Sequence, residues 1–265
     1  MSDPSDSGIE HTLTGDVRIH EGFHSRYLEH DRTIVAYLPP GYDAQSAQRY
    51  PVLYLHDGQN VFDRATSIGE EWQVDEEAQM LILAGEIEPL IVVGIYNTGV
   101  HRIDEYTPTA SAHGGGHAAE YGRMLVEDLK PFIDATYLTL PSAASTAIGG
   151  SSLGGLLTMY LGLHYPTAFG RLAVLSPSVW WDDREILSEV AALPGKLPLR
   201  IWLDAGTAEG EQVISDARAL RDALVAKGWT VGDDMAYLEA PGGEHNERSW
   251  ASRIGSVLKY LFPRT

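Results

Sequence analysis

The run Gly149-Gly-Ser-Ser-Leu-Gly-Gly155 carries a serine in a setting suited to nucleophilic chemistry. Within it, Gly150-Ser-Ser-Leu-Gly154 fits the pattern G-x-S-x-G with Ser152 at its centre. A short apolar run over 146–149 precedes it, and a long one over 153–164 follows. The order therefore reads strand, tight turn, helix. A turn of this kind lifts a hydroxyl clear of the sheet, and glycines two positions to either side let strand and helix pass closely. The hydroxyl then stands at a helix N-terminus, where unpaired backbone N–H groups point outward. The Leu153 amide is the natural first oxyanion donor. Ser151 would be central only in Gly149-Gly-Ser-Ser-Leu153, which lacks the closing glycine. A glycine-rich helix cap is the plain alternative, and the setting between strand and helix weighs against it.

A serine at neutral pH needs a base to take its proton. Of ten histidines, His245 fits best, in the loop Pro241-Gly-Gly-Glu-His-Asn246 between the last strand and the last helix. An acid must then orient the imidazole. The strand over 200–204 runs into Ala205-Gly-Thr-Ala-Glu-Gly210, offering Asp204 and Glu209. Glu209 is preferred because it comes from the loop itself, whereas Asp204 can hold the turn backbone. The chain order is then Ser152, Glu209, His245, the order of the α/β-hydrolase triad. His56 ends a strand before Asp57-Gly-Gln-Asn60, a segment read as the second oxyanion loop with the Gln59 amide as donor.

The remaining histidines carry less. His20, His24, His30 and His164 sit in strand, turn or helix contexts and read as structural. His11 reads as solvated, and His101 has no clear role. His113 and His117 flank three glycines, which makes a metal-binding helix a poor reading and a flexible loop the better one. Cysteine is absent, so disulfides, zinc-thiolate sites, iron–sulfur clusters and thiol nucleophiles are excluded.

These groups need a frame of strands and helices. Strand patterns fall at 17–23, 33–38, 52–56, 90–96, 146–149, 171–176, 200–204 and 235–239. The runs at 51–55 and 90–95 are nearly continuous in apolar residues, as in strands covered on both faces. Helical spacing appears at 71–84 (Trp72, Ala78, Leu81, Ile82) and in Tyr121, Leu125, Leu129 and Phe132, where Pro131 should kink or shift the helix. It recurs in Val213, Ala217, Leu220 and Leu224, and in Trp250, Ile254, Val257 and Leu261. Alternating strands and helices imply a mostly parallel sheet of about eight strands with helices on both faces. The two early strands should form an antiparallel edge. The expected organisation is a flexible N-terminal segment, 1–15, and one domain, 16–265.

The chain has 265 residues, 44% hydrophobic and 21% charged, an ordinary globular composition. With 37 acidic and 19 basic side chains its net charge is −18. A field of that sign repels phosphate backbones and anionic membranes, so neither nucleic acid nor membrane is an expected partner. Met1 to Gly8 lack the basic start and apolar run of a secretory signal, and no apolar stretch approaches the roughly 20 residues of a membrane span. The expectation is a soluble, cytoplasmic protein. Oligomeric state does not follow from composition.

Taken together, the sequence resembles the putative-esterase family of α/β hydrolases from about Arg32 to about Phe262. That family includes siderophore, feruloyl and acetylxylan esterases, S-formylglutathione hydrolases and mycolyltransferase antigens. The shared markers are Leu55-His-Asp-Gly-Gln-Asn-Val-Phe-Asp63, Arg102-Ile-Asp-Glu-Tyr-Thr-Pro108, Leu129-Lys-Pro-Phe-Ile-Asp134, Gly149-Gly-Ser-Ser-Leu-Gly-Gly155 and Ser176-Pro-Ser-Val-Trp-Trp181. The resemblance implies Ser152 as nucleophile, His245 as base and an acid in the Gly-Thr-x-Glu turn, which supports Glu209. Trp180 and Trp181 follow a strand on the same side and are expected to wall the substrate pocket, with core packing the alternative. Arg102 and Glu105 are expected to pair at the pocket floor. The resulting expectation is a serine ester hydrolase for small or aryl esters, needing no cofactor or metal. An acyltransferase, or a silent binding module on the same scaffold, are the competing readings.

Overall fold

The computed structural model describes residues 10–111 and 114–264. Its main sheet contains β1 (Asp16–Phe23), β2 (Arg32–Leu38), β3 (Val52–His56) and β4 (Ile91–Ile95). After a separate two-residue pair, β5 (Ala110–Ser111) and β6 (Gly114–Gly115), come β7 (Thr146–Ser151), β8 (Arg171–Leu175), β9 (Arg200–Gly206) and β10 (Met235–Ala240). The strand order is β1-β2-β4-β3-β7-β8-β9-β10. β2 pairs antiparallel with both β1 and β4, and the other pairings are parallel. Every strand expected from the sequence is present, with the antiparallel edge at the N-terminal end.

The helices are α1 (Val74–Leu83), α2 (Arg102–Tyr106), α3 (Ala118–Arg123), α4 (Lys130–Thr136), α5 (Leu153–His164), α6 (Glu185–Ala192), α7 (Glu211–Ala226) and α8 (Glu247–Leu261). They cover both faces, so alternate side chains of one strand enter different apolar layers. Val52 and Tyr54 join the layer containing Leu157 of α5, while Leu53 and Leu55 join the layer containing Ile254 of α8. Two covered faces explain why the strands read as continuous apolar runs.

Pro131 acts where the sequence placed it. A π-helical turn, Met124–Leu129, joins α3 to α4. Proline has no N–H to offer the carbonyl four residues back, and that carbonyl, on Glu127, accepts from the Arg26 guanidinium at 3.1 Å. α2, α6 and the β5–β6 pair were not expected. α6 follows three residues with positive φ, Asp182, Asp183 and Arg184, and its N-cap is Arg184 rather than either aspartate, with no side-chain cap.

Residues 11–14, assigned by sequence to a flexible segment, are tied to the domain. His11 hydrogen-bonds Asp63 at 2.6 Å, the Thr12 hydroxyl donates to Glu71 at 2.7 Å, and the Thr14 amide donates to Asp75 at 2.6 Å. His11 thus has a partner although its side chain is largely exposed. Asp75 is buried, and its Oδ1 has no hydrogen-bond partner among the described residues. Burial, with Glu76 beside it, pushes the Asp75 carboxyl up to about 8. The folded protein therefore holds a proton that the unfolded chain releases. This contribution to stability is complete below the ordinary carboxylate range and is lost as pH rises through about 8. Asp75→Asn should flatten the fall of stability with pH across that window, by up to about 1.4 kcal/mol per pH unit. Urea denaturation at a series of pH values checks this, and equal slopes for the two proteins would refute it.

Candidate active site

Ser152 sits between β7 and α5 with φ 59° and ψ −122°. A non-glycine residue pays about 1–3 kcal/mol for such a backbone, so its neighbours must hold it. The Ser152 amide donates to the Leu175 carbonyl at 3.1 Å, and its carbonyl accepts from the amides of Leu156 at 3.1 Å and Ser178 at 2.9 Å. A Cβ on Gly150 would lie 3.0 Å from the His56 ring and 3.1 Å from the backbone of Gly154. The crossing of strand and helix is therefore tight at the point the motif predicts. The Ser152 hydroxyl is 3.3 Å from that of Ser178.

His245 lies in the loop between β10 and α8. Its Nδ1 is 2.7 Å from Oε2 of Glu209, which comes from the loop after β9. The other Glu209 oxygen accepts from the Ser176 hydroxyl at 2.6 Å and from the Gly206 amide at 2.7 Å. Burial pushes the Glu209 carboxyl up, but hydrogen bonds from His245, Ser176 and Gly206 outweigh it and hold the group below its usual range. Ser176 can donate there because it accepts from Trp250 Nε1 and Arg253, each at 3.0 Å.

Asp204, the other candidate acid, faces inward. It accepts from Trp202 Nε1 at 2.8 Å and lies 3.2 Å from Arg253. Burial pushes its carboxyl up to about 6, against the pull of Arg253. Glu209 and not Asp204 is thus the carboxylate that touches the imidazole.

The loop after β3 turns at Asp57, φ 56°, into a single 3-10 turn, Gly58–Asn60. A Cβ on Gly58 would fall 2.4 Å from the Ile95 nitrogen, so this loop rests directly on β4. Asp57 is gripped from three sides. Arg102 donates to it through two nitrogens at 2.7 and 2.8 Å, Asn97 donates at 2.6 Å, and its own amide donates to the Tyr106 hydroxyl at 3.1 Å. Burial raises the Asp57 carboxyl, and Arg102 and Asn97 more than reverse it. Beneath the elbow, burial drives the His56 imidazole down to about 3, so it is neutral.

Ser152, Gln59 and His245 line one cleft of about 250 Å³, with Asn60, Ile68, Trp72, Arg102, Glu247 and Trp250 among its walls. The groups come from loops at the C-terminal ends of β3, β7 and β10, the usual position for a site in such a sheet. Leu153 begins α5 beside Ser152.

Two expectations need correction. Trp180 and Trp181 do not act as one wall, and neither borders this cleft. Trp181 is buried and its indole N–H donates to the Thr109 carbonyl at 3.2 Å, while Trp180 is exposed. The two rings touch, with centroids 5.8 Å apart, but only Trp181 is fixed in the core. Arg102 and Glu105 do not pair with each other either. Arg102 takes Asp57, and Glu105 takes the buried Arg32 at 2.9 and 3.0 Å. His117 lies 3.9 Å from Glu120, and His113 lies outside the described residues.

Ser176, Ser178, Arg253, Asn97 and Glu247 received no role from the sequence. Ser176 and Ser178 belong to the marker Ser176-Pro-Ser-Val-Trp-Trp181, and serines after a strand end were the available signal.

The sheet order, the helices on both faces and the strained serine after β7 define an α/β-hydrolase fold. The family described as Putative esterase matches residues 25–261, and the chain belongs to it. It is a carboxylic-ester hydrolase. It is 25% identical over 257 residues to the uncharacterized protein YbbA of Bacillus subtilis, covering 91% of this chain and 97% of that one. It is 34% identical over 238 residues to an endo-1,4-beta-xylanase/feruloyl esterase of Xylanibacter ruminicola, covering 87% of this chain but 29% of that longer protein. With the iron(III) enterobactin esterase of Escherichia coli K12 it shares 30% identity over 155 residues, 56% of this chain and 37% of the other. Among solved structures, the BES protein of Bacillus cereus superposes with a TM-score of 0.75 at 21% identity, covering 94% and 96% of the two chains. The enterobactin esterase of Shigella flexneri gives 0.76 at 22%, covering 94% and 60%.

Replacing the two carboxyls separately distinguishes their parts. Glu209→Gln should lower kcat on an aryl ester by about a hundredfold or more, because the imidazole loses its orienting charge. Asp204→Asn should cost less than tenfold, since Asp204 touches neither Ser152 nor His245. Steady-state kinetics on both folded variants decides, and a larger loss in Asp204→Asn would reverse the assignment.

Proposed function

We propose that the protein hydrolyses small or aryl carboxylic esters through an acyl-enzyme on Ser152. The observation that carries this reading is the shared cleft of Ser152 and His245, with His245 Nδ1 held by Glu209. That bond leaves Nε2 as the nitrogen that takes the Ser152 proton while the hydroxyl oxygen attacks the ester carbonyl. The tetrahedral oxyanion is held by the amides of Leu153 and Gln59, one such donor being worth about 2.7–4 kcal/mol. His245 then protonates the leaving alcohol, and the C–O bond breaks. Water, deprotonated by the same imidazole, attacks the acyl-enzyme and releases the acid with Ser152 restored. The charge of Glu209 stabilises the imidazolium formed in both halves.

Aromatic substrate groups fit the walls. Trp72, Trp250 and Ile68 line the cleft and offer rings and an apolar face to an acyl group. The name feruloyl esterase on the relative from Xylanibacter ruminicola also supports an aryl acid. A cytoplasmic setting belongs to the same proposal; recovery of the enzyme from the medium rather than the cell extract would overturn it.

Ser152→Ala should lower hydrolysis of p-nitrophenyl butyrate by about a thousandfold or more without loss of the folded circular-dichroism spectrum. Turnover retained by that variant would mean that another group attacks the ester.

A further inference from the structure

The charged residues of the cleft do not balance. Four lining residues can carry charge: Asp57, Arg102, His245 and Glu247. Arg102 is closed on Asp57 through two nitrogens, so their charges cancel within the wall. His245 is occupied on one side by Glu209, whose side chain lies behind the imidazole and not on the cleft surface. Glu247 remains. It opens α8 directly after the capping residue Asn246, where the helix N-terminus favours an ionised carboxylate. Its Oε1 accepts from the side-chain Nδ2 of Asn60 at 3.2 Å, and it has no ion-pair partner among the described residues. One unneutralised carboxylate therefore faces the space that substrate must enter, inside a molecule whose net charge is already −18.

We infer that this cleft selects uncharged and cationic esters and rejects anionic ones, with Glu247 as the residue that sets the preference. The inference rests on the proposed ester hydrolysis at Ser152 and adds the charge class of its substrate. A carboxylate or other anion on the acyl group would meet Glu247 with no free cation in the cleft to offset it. Nor can Arg102 turn to serve as a receptor without leaving Asp57 buried and unpaired, which is costly. A substrate ammonium gains the attraction of Glu247, which offsets part of the hydration it gives up on entering. Burial, and then the nearby Asp57, raise the Glu247 carboxyl above its usual range, with its own backbone amide, His245 and Arg102 drawing it back only in part.

The test uses p-nitrophenyl esters with one leaving group and three acids: butyrate, hemisuccinate and a trimethylammonio-butyrate. Values of kcat/KM are taken relative to butyrate, which cancels any effect of a substitution on the imidazole itself. The parent protein should favour the cationic ester over the anionic one, and added salt should narrow the gap. Glu247→Gln keeps an acceptor for Asn60 and should raise the hemisuccinate ratio by about fivefold, the size of one charge pair near contact distance in water, while lowering the cationic ratio. Activity on all three esters with ratios unmoved by both salt and the substitution would overturn the inference and leave ester hydrolysis standing. No turnover of any of the three would overturn ester hydrolysis itself and this inference with it. Glu247→Ala should move the ratios as Glu247→Gln does, so either folded variant decides; ratios that narrow with salt but move with neither substitution would assign the preference to the net charge and overturn the role of Glu247.

Discussion

The ionised carboxylate of Glu209, kept charged although its side chain is shut away from solvent, is the interaction on which the rest of the site depends. A lone buried carboxylate would take up a proton. This one is held by donors from three places: the imidazole of His245, the hydroxyl of Ser176 and the amide of Gly206. Ser176 in turn is fed by Trp250 and Arg253 of α8. One functional group therefore ties the ends of β8, β9 and β10 to the helix that follows. Loss of any donor would both loosen the loop carrying His245 and weaken the charge that orients it.

Having two carboxyls near that helix is a division of labour. Arg253 lies 3.2 Å from Asp204 and 3.8 Å from Glu209, so one cation serves both. Asp204 is deeper, has fewer strong donors and is pushed toward its protonated form; Glu209 is held in its charged form. The two carboxyls are thus displaced in opposite directions, Asp204 upward by burial and Glu209 downward by its donors. In the proposed mechanism the carboxyl beside the imidazole has to be the charged one, and both the contact with His245 and the donors that favour the ionised form are at Glu209.

The frame was legible because both faces of the sheet are covered. Apolar runs such as 51–55 and 90–95 have no other comfortable environment in water, and they appear as β3 and β4. Ser152, Glu209 and His245 were legible for a different reason: each stands in a glycine-bearing loop just past a strand. The pairings were not. Ser176 finds Glu209 across 33 residues, Arg253 finds Ser176 across 77, and Arg102 finds Asp57 across 45. Spacing along the chain favoured Arg102 with Glu105 instead, one turn apart. Each of those groups gains more from a buried partner elsewhere: Arg102 from Asp57 under the 3-10 turn, and Glu105 from Arg32 in the core. Charge pairs on a short helix are worth a few tenths of a kcal/mol, too little to compete with leaving two buried charges unpaired.

The same argument explains why the tryptophan pair misled and another pair did not announce itself. Trp180 and Trp181 are adjacent in sequence and their ring centroids lie 5.8 Å apart, yet one is exposed, the other buried, and neither borders the cleft. Trp72 and Trp250 are far apart in sequence, yet their ring centroids lie 5.9 Å apart and both border the cleft. Trp250 also meets the His245 ring edge-on at 5.1 Å while its N–H supports Ser176. An aromatic wall that doubles as a hydrogen-bond donor behind the acid must lie on a rigid element. α8 provides that: its N-terminus follows His245, its first turn carries Glu247 and Trp250, and Arg253 lies one turn on. The stretch 245–253 thus couples the imidazole, the cleft wall and the support for Glu209 in a single rigid segment. A shift of that helix would move all three together, so the geometry at His245 cannot drift while the cleft keeps its shape.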